Sequence, residues 1–98
     1  MAIDAKKLEQ VAFILKTIAH PVRLAIVDLL DKNKKMAVND IAEQLGLEQS
    51  ITSHHLNNMK IKGILQSERE GKNMYYSIKL EEVIKVIACI ESCDAIQM

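Results

Sequence analysis

Aromatic residues are almost missing from this chain of 98 residues, which has one phenylalanine, two tyrosines and no tryptophan. The core must therefore be packed from Ile, Leu, Val and Met, as in compact helical assemblies, and a mainly helical fold is expected. Cysteine is scarce as well. Cys89 and Cys93 are too few for a disulfide framework, and no CxxC or Cys/His array marks a structural zinc site. No apolar run approaches the roughly 18 residues of a membrane span, and no signal-peptide pattern is present. A cytoplasmic protein without membrane contact is expected. The chain also lacks a glycine-rich phosphate loop, a Ser/His/acid set and paired carboxylates, which argues against an enzyme.

An excess of either charge is missing too, since 13 Lys and Arg balance 13 Asp and Glu. Taken alone, that balance counts against nucleic acid, because autonomous DNA-binding domains are often strongly basic. The distribution points the other way. From Gln49 to Lys79 stand Lys60, Lys62, Arg69, Lys72 and Lys79 against only Glu68 and Glu70, and the rest of the chain holds the compensating negative excess. Such polarity presents one positive face to phosphates while the other half repels them. At this length, residues 1–98 form one domain whose core is small, and a dimer would enlarge it.

Apolar spacing lays out the elements. Leu8, Val11, Ala12, Leu15, Ile18 and Ala19 recur at three- and four-residue intervals and predict a helix over about 5–19, with Ile3, Phe13 and Ile14 off the main stripe as a second apolar face. His20-Pro21 ends it, because the residue before proline avoids helical geometry while proline suits the first turn of the next helix. A loop-side hydrogen bond is the ordinary fate of His20 there. The second helix runs to about Lys32 and is apolar enough to be central. Met36-Ala37-Val38 reads as a short extended piece, and Asp40 to Leu45 as a short helix stopped by Gly46.

A polar helix follows, over about 49–62, ending at Gly63. Ile51, Leu56 and Met59 give it a narrow apolar stripe for docking. Gln49, Ser50, Thr52, Ser53, His54, His55 and Asn57 carry short hydrogen-bonding groups of the kind that read base edges. Helix, brief turn and polar helix is the helix-turn-helix arrangement. Within it, Ser50, Thr52, Ser53 and His54 are expected nearest the bases, His55 on a phosphate or in a bond that steadies the helix, and Lys60 on the backbone. Segments 64–69 and 74–79 around Glu70-Gly71-Lys72-Asn73 read as a two-stranded hairpin, a wing whose Arg69, Lys72 and Asn73 suit phosphate or minor-groove contact. The final helix, from Glu81 to about Gln97, is apolar on more than one face. Together with the first helix it predicts a two-fold dimer built from both terminal helices. The expected fold is thus mainly α with a small β wing, five helices and a hairpin, and the expected partners are double-stranded operator DNA and a second copy of the chain. A winged-helix module that binds a partner protein is the alternative.

These residues resemble the ArsR-type winged helix-turn-helix repressors from about Leu15 to Val83. Ala19-His20-Pro21-Val22-Arg23-Leu24-Ala25-Ile26-Val27 is similar to the family's second-helix opening. Asp40 to Leu47 is similar to its third helix, and Ser50-Ile51-Thr52-Ser53-His54-His55-Leu56 to its recognition helix. Lys62 to Leu65, Arg69 to Lys72 and Tyr75 to Ile78 are similar to its wing. The resemblance implies a homodimeric repressor that leaves its operator when an inducer binds, often a metal or metalloid ion.

The inducer is where this chain departs from the family pattern. The Cys-x-Cys that soft-metal sensors of this kind carry at the third helix is replaced by Met36-Ala37-Val38-Asn39-Asp40, and residues 81–98 lack the histidines of a second family site. No resident cofactor is required. Cys89 and Cys93, four apart and on one face of the last helix, would bring four thiols to a dimer. That set suits a soft metal or metalloid ion such as Cu(I) or As(III), or a redox or persulfide switch. Small hydrophobes in a packed seam are the other reading of the same two residues.

Overall fold

The computed structural model describes residues 3–92, so Cys93 and the end of the expected last helix lie outside the described residues. The elements run α1 (Ala5–Ile18), α2 (Pro21–Asn33), β1 (Lys35–Ala37), α3 (Val38–Leu45), α4 (Gln49–Ile61), β2 (Leu65–Glu70), β3 (Asn73–Ile78) and α5 (Glu82–Glu91). Local chemistry sets the boundaries. The Asp4 carboxylate accepts the Lys7 N–H at 2.8 Å and starts α1. Pro21 occupies the first turn of α2, whose cap is His20. Gly46 takes a left-handed φ of 65° and closes α3, its N–H turned back to the Ala42 and Glu43 carbonyls.

One expectation is corrected in the sheet. The extended piece before α3 is a strand that pairs antiparallel with β3, Lys35 opposite Ser77 and Ala37 opposite Tyr75, so the wing belongs to a three-stranded sheet in the order β1-β3-β2. The hairpin pairs Leu65 with Ile78 through Glu70 with Asn73. Alternation along β2 puts Leu65, Ser67 and Arg69 on one face and Gln66, Glu68 and Glu70 on the other.

The core gathers Ile26, Val27 and Leu30 of α2, Ile41 of α3, Leu56 and Met59 of α4, Ile64 and Leu65 at the wing's root, and Val83 and Ile87 of α5. Each such side chain contributes about 1.5–3 kcal/mol by leaving water. α2 is central, packed against α3, α4, α5 and the sheet. Lys32 ties it to α5, with its ammonium 3.3 Å from Glu91 and 3.1 Å from Asp28.

The first helix is turned by about 100° from its expected stripe, of which only Ile18 is buried. Ile14, Thr17 and Ile18 are its buried residues, whereas Leu8, Val11 and Leu15 are exposed, as is Phe13 on another side. A helix with two apolar faces does not reveal from spacing which one its own chain covers. α1 therefore reaches outward with an apolar stripe that this chain leaves bare, and the fold is elongated at 49 × 33 × 20 Å.

Candidate nucleic-acid interface

α4 docks through Thr52, Leu56 and Met59, all fully buried. These positions are spaced i, i+4 and i+7 and so form one stripe. Two expectations change as a result. Thr52 is withdrawn from the base-reading set, because its hydroxyl points inward and donates to the Glu48 carbonyl at 3.0 Å. Ile51, expected to dock the helix, is instead 44% exposed. The spacing of Thr52 to Leu56 and Met59 was the available signal.

The opposite edge of α4 is polar. Gln49, Ser50, His54, Asn57 and Lys60 are exposed and Ser53 is half-buried. At 100° per residue, Ser50, His54 and Asn57 fall within about 60° of one another and form a ridge, with Ser53 beside it. The helix is about 20 Å long at 1.5 Å per residue, and its diameter matches a major groove.

The wing tip stands next to the start of this helix. A groove of about 180 Å³ is lined by Gln49 of α4, by Lys72, Asn73 and Met74 of the wing, and by Ala37, Val38 and Asn39. Lys72 and Asn73 are exposed. The two faces of β2 separate the charges. Arg69 shares the face of buried Leu65, toward the helices, while Glu68 and Glu70 lie behind and are engaged by Lys35 of β1 at 3.4 and 2.9 Å. The Glu70 hydrogen bond, with a smaller share from Glu68, holds the Lys35 ammonium above the usual lysine range. The acidic residues of the basic segment thus have their own cation on the back of the sheet.

His55 lies on the other flank of α4, half-buried, and its Nδ1 accepts the Arg23 Nε–H at 3.1 Å. Arg23 also donates through Nη1 to the Thr17 carbonyl at 2.9 Å, so one guanidinium joins the end of α1, the start of α2 and the polar helix. The His20 ring centroid sits 4.6 Å from that of His55, and the His54 ring centroid 5.8 Å from it. Burial first, then the neighbouring His20, Arg23 and His54, push the His55 pKa below the usual histidine range. Sequence spacing did not single out Arg23, because its partner is 32 residues away.

On α5, Cys89 is a free, exposed thiol. Among the described residues no three His, Cys, Asp or Glu side chains are placed to hold a metal ion, and no helix is long and apolar enough to cross a membrane.

Comparison with known proteins places this geometry. Residues 20–67, from the α2 cap into β2, match the model of the bacterial regulatory protein, arsR family. The chain is 44% identical over 92 residues to the transcriptional repressor PagR of Bacillus anthracis, covering 91% of this chain and 92% of that protein. The crystal structure of PagR superposes with a TM-score of 0.79 at 41% identity, over 89% of this chain and 99% of that one. The HTH-type transcriptional regulator YgaV of Escherichia coli (strain K12) is 36% identical over 84 residues, 86% of this chain and 85% of its own. The solution structure of the homodimeric winged helix-turn-helix DNA-binding domain of a possible ArsR-family regulator from Mycobacterium bovis matches at 35% identity. Its TM-score is 0.74, over 93% of this chain and 87% of that one.

Proposed function

The chain belongs to the arsR family of bacterial regulatory proteins, and from that premise we propose that it works as a homodimeric repressor, each protomer laying α4 into the major groove of an operator. It is a transcriptional regulator and not an enzyme. The observation that carries the reading is the polar ridge of Ser50, Ser53, His54 and Asn57, set on a helix whose buried side is Thr52, Leu56 and Met59.

Ser50, Ser53, His54 and Asn57 face the bases, with Gln49 at the edge of the footprint. Lys60, Arg69, Lys72 and Asn73 hold the backbone, and His55 steadies the helix from behind. The exposed apolar residues Leu8, Val11 and Leu15 on α1 and Ile90, 45% exposed, on α5 supply the two-fold contact. Half-sites then lie about 34 Å apart in an imperfect palindrome. The protein acts in the cytoplasm, and repression follows from occlusion of polymerase.

Induction we assign to the thiols of Cys89 and Cys93, through a soft metal or metalloid ion or through oxidation or persulfidation. The exposure of Cys89 supports this over a packing role within the protomer. A ligand that favours a dimer geometry mismatched to the groove spacing by a few kcal/mol is enough to release DNA. The test is operator affinity, on DNA selected from the source genome, of the wild type and Cys89→Ser/Cys93→Ser with and without As(III), Cu(I) and persulfide. Release of the wild type alone supports thiol sensing. Release of both, or of neither, overturns it.

A further inference from the structure

Two imidazoles beside α4 are locked into one tautomer. The His20 Nδ1 accepts the Val22 backbone N–H at 3.1 Å, and the His55 Nδ1 accepts from Arg23 at the same distance. A backbone amide and a guanidinium can only donate, so each neutral ring must carry its proton on Nε2. Among the described residues neither Nε2–H has a hydrogen-bond partner within the protein, and the Nη2 of Arg23 is likewise unused. The groups that face His55 electrostatically are His20, Arg23 and His54, with no carboxylate among them. A cluster of donors without an acceptor is suited to an anion.

Its position says which anion. Gln49, beside the wing tip, and His55 lie on opposite flanks of α4, about 80° from Asn57 and about 100° from His54, the two edges of the Ser50, His54 and Asn57 ridge. A helix seated in the major groove has a phosphate strand along each flank. Resting on the operator-binding reading, we propose that His20 and His55, backed by Arg23, form a second grip on a DNA backbone phosphate, opposite the wing and made of neutral imidazole donors. His20, exposed at the cap of α2, is the outer donor, and Arg23 is a positioning residue that fixes the His55 ring.

Neutral donors leave a signature that a lysine does not. Contacts from Lys or Arg release counterions and steepen the salt dependence, about one unit of slope per phosphate, whereas a neutral hydrogen bond adds affinity without slope. The experiment is a salt titration of duplex binding, on operator and on random DNA, for wild type, His20→Ser and Lys72→Ala. Serine keeps a good cap for α2 but is too short to reach beyond it, and thermal melting checks that the fold is kept. His20→Ser is expected to lose roughly tenfold in affinity on both DNAs, as for one hydrogen bond to a charged group, with the slope unchanged. Replacing single operator phosphates by methylphosphonate should then locate one position per half-site where wild type is weakened and His20→Ser is not.

Unchanged affinity of a folded His20→Ser would overturn the grip and leave the cluster as a brace between α2 and α4. A flattened slope would overturn it as well, by showing a charged imidazolium contact. Failure of the wild type to bind any duplex at low salt would instead bring down the operator-binding reading itself.

Discussion

α1 and α4 are helices of nearly equal length, 14 and 13 residues, and they leave opposite chemistry in the open. α1 buries Ile14, Thr17 and Ile18 and exposes Leu8, Val11 and Leu15. α4 buries Thr52, Leu56 and Met59 and exposes serine, histidine and asparagine. Bare aliphatic surface on a small domain calls for another protein surface, and a bare polar ridge flanked by lysine and arginine calls for nucleic acid. On the proposed reading α1 serves assembly and α4 serves DNA, so damage to α1 should reach DNA binding only through the dimer, and damage to the α4 ridge should leave the dimer intact.

The largest effect should come from charging the bare stripe of α1. Leu8→Glu/Leu15→Glu removes four half-exposed leucines from a dimer, on the order of 3–6 kcal/mol, or at least a hundredfold in dimer dissociation. Sedimentation should show a folded monomer, with operator affinity falling in parallel. A dimer that persists would move the two-fold contact elsewhere.

On α4 the sharpest comparison is between adjacent residues. Ser53→Ala should alter base preference by about 1–3 kcal/mol at one operator position while leaving the melting temperature in place. Thr52→Ala should do the reverse, costing about 1 kcal/mol of stability through the lost bond to Glu48 and a small void, with the selected sequence unchanged. Equal losses on operator and random DNA for Ser53→Ala would remove it from the reading edge.

Smaller effects belong to the flanks. Lys72→Ala should weaken all sequences alike and reduce the salt slope by about one. For His55 the sign follows from a folded pKa below the unfolded value of about 6.5: the native state binds fewer protons there, so the stabilisation is present above that pH and lost as pH falls below it. Protonation would occupy the Nδ1 that Arg23 uses. Melting temperature should therefore drop on acidification from about pH 7 to 5, and drop less in His55→Gln, whose amide oxygen can still accept from Arg23.

The parts of the molecule that were legible in the sequence are those set by short-range chemistry. His20-Pro21 separates α1 from α2, Gly46 stops α3, and the Gly71 turn joins the wing strands, each because one residue's backbone preference decides the break. What escaped depends on distant partners. β1 is three residues whose pairing with β3 lies some 40 positions away, so a two-stranded wing was expected where three strands form. α1 is turned by about 100° from its expected stripe, since both of its faces are apolar and only the packed core selects Ile14 over Leu15. In the candidate site, helical spacing accounts for the exposure of Ser50, His54, Asn57 and Lys60 on α4. Thr52 was misplaced because its polarity was given more weight than its spacing. The Arg23 to His55 bond joins residues that no local pattern relates.

The most direct test of the account is a footprint and salt titration of the wild type on DNA selected from the source genome against random duplex. The expected result is protection of two half-sites about 34 Å apart, a clear preference for the selected sequence, and affinity that falls steeply with salt. Equal, salt-insensitive or absent binding to both DNAs would contradict the assignment of α4 as a reader of operator sequence.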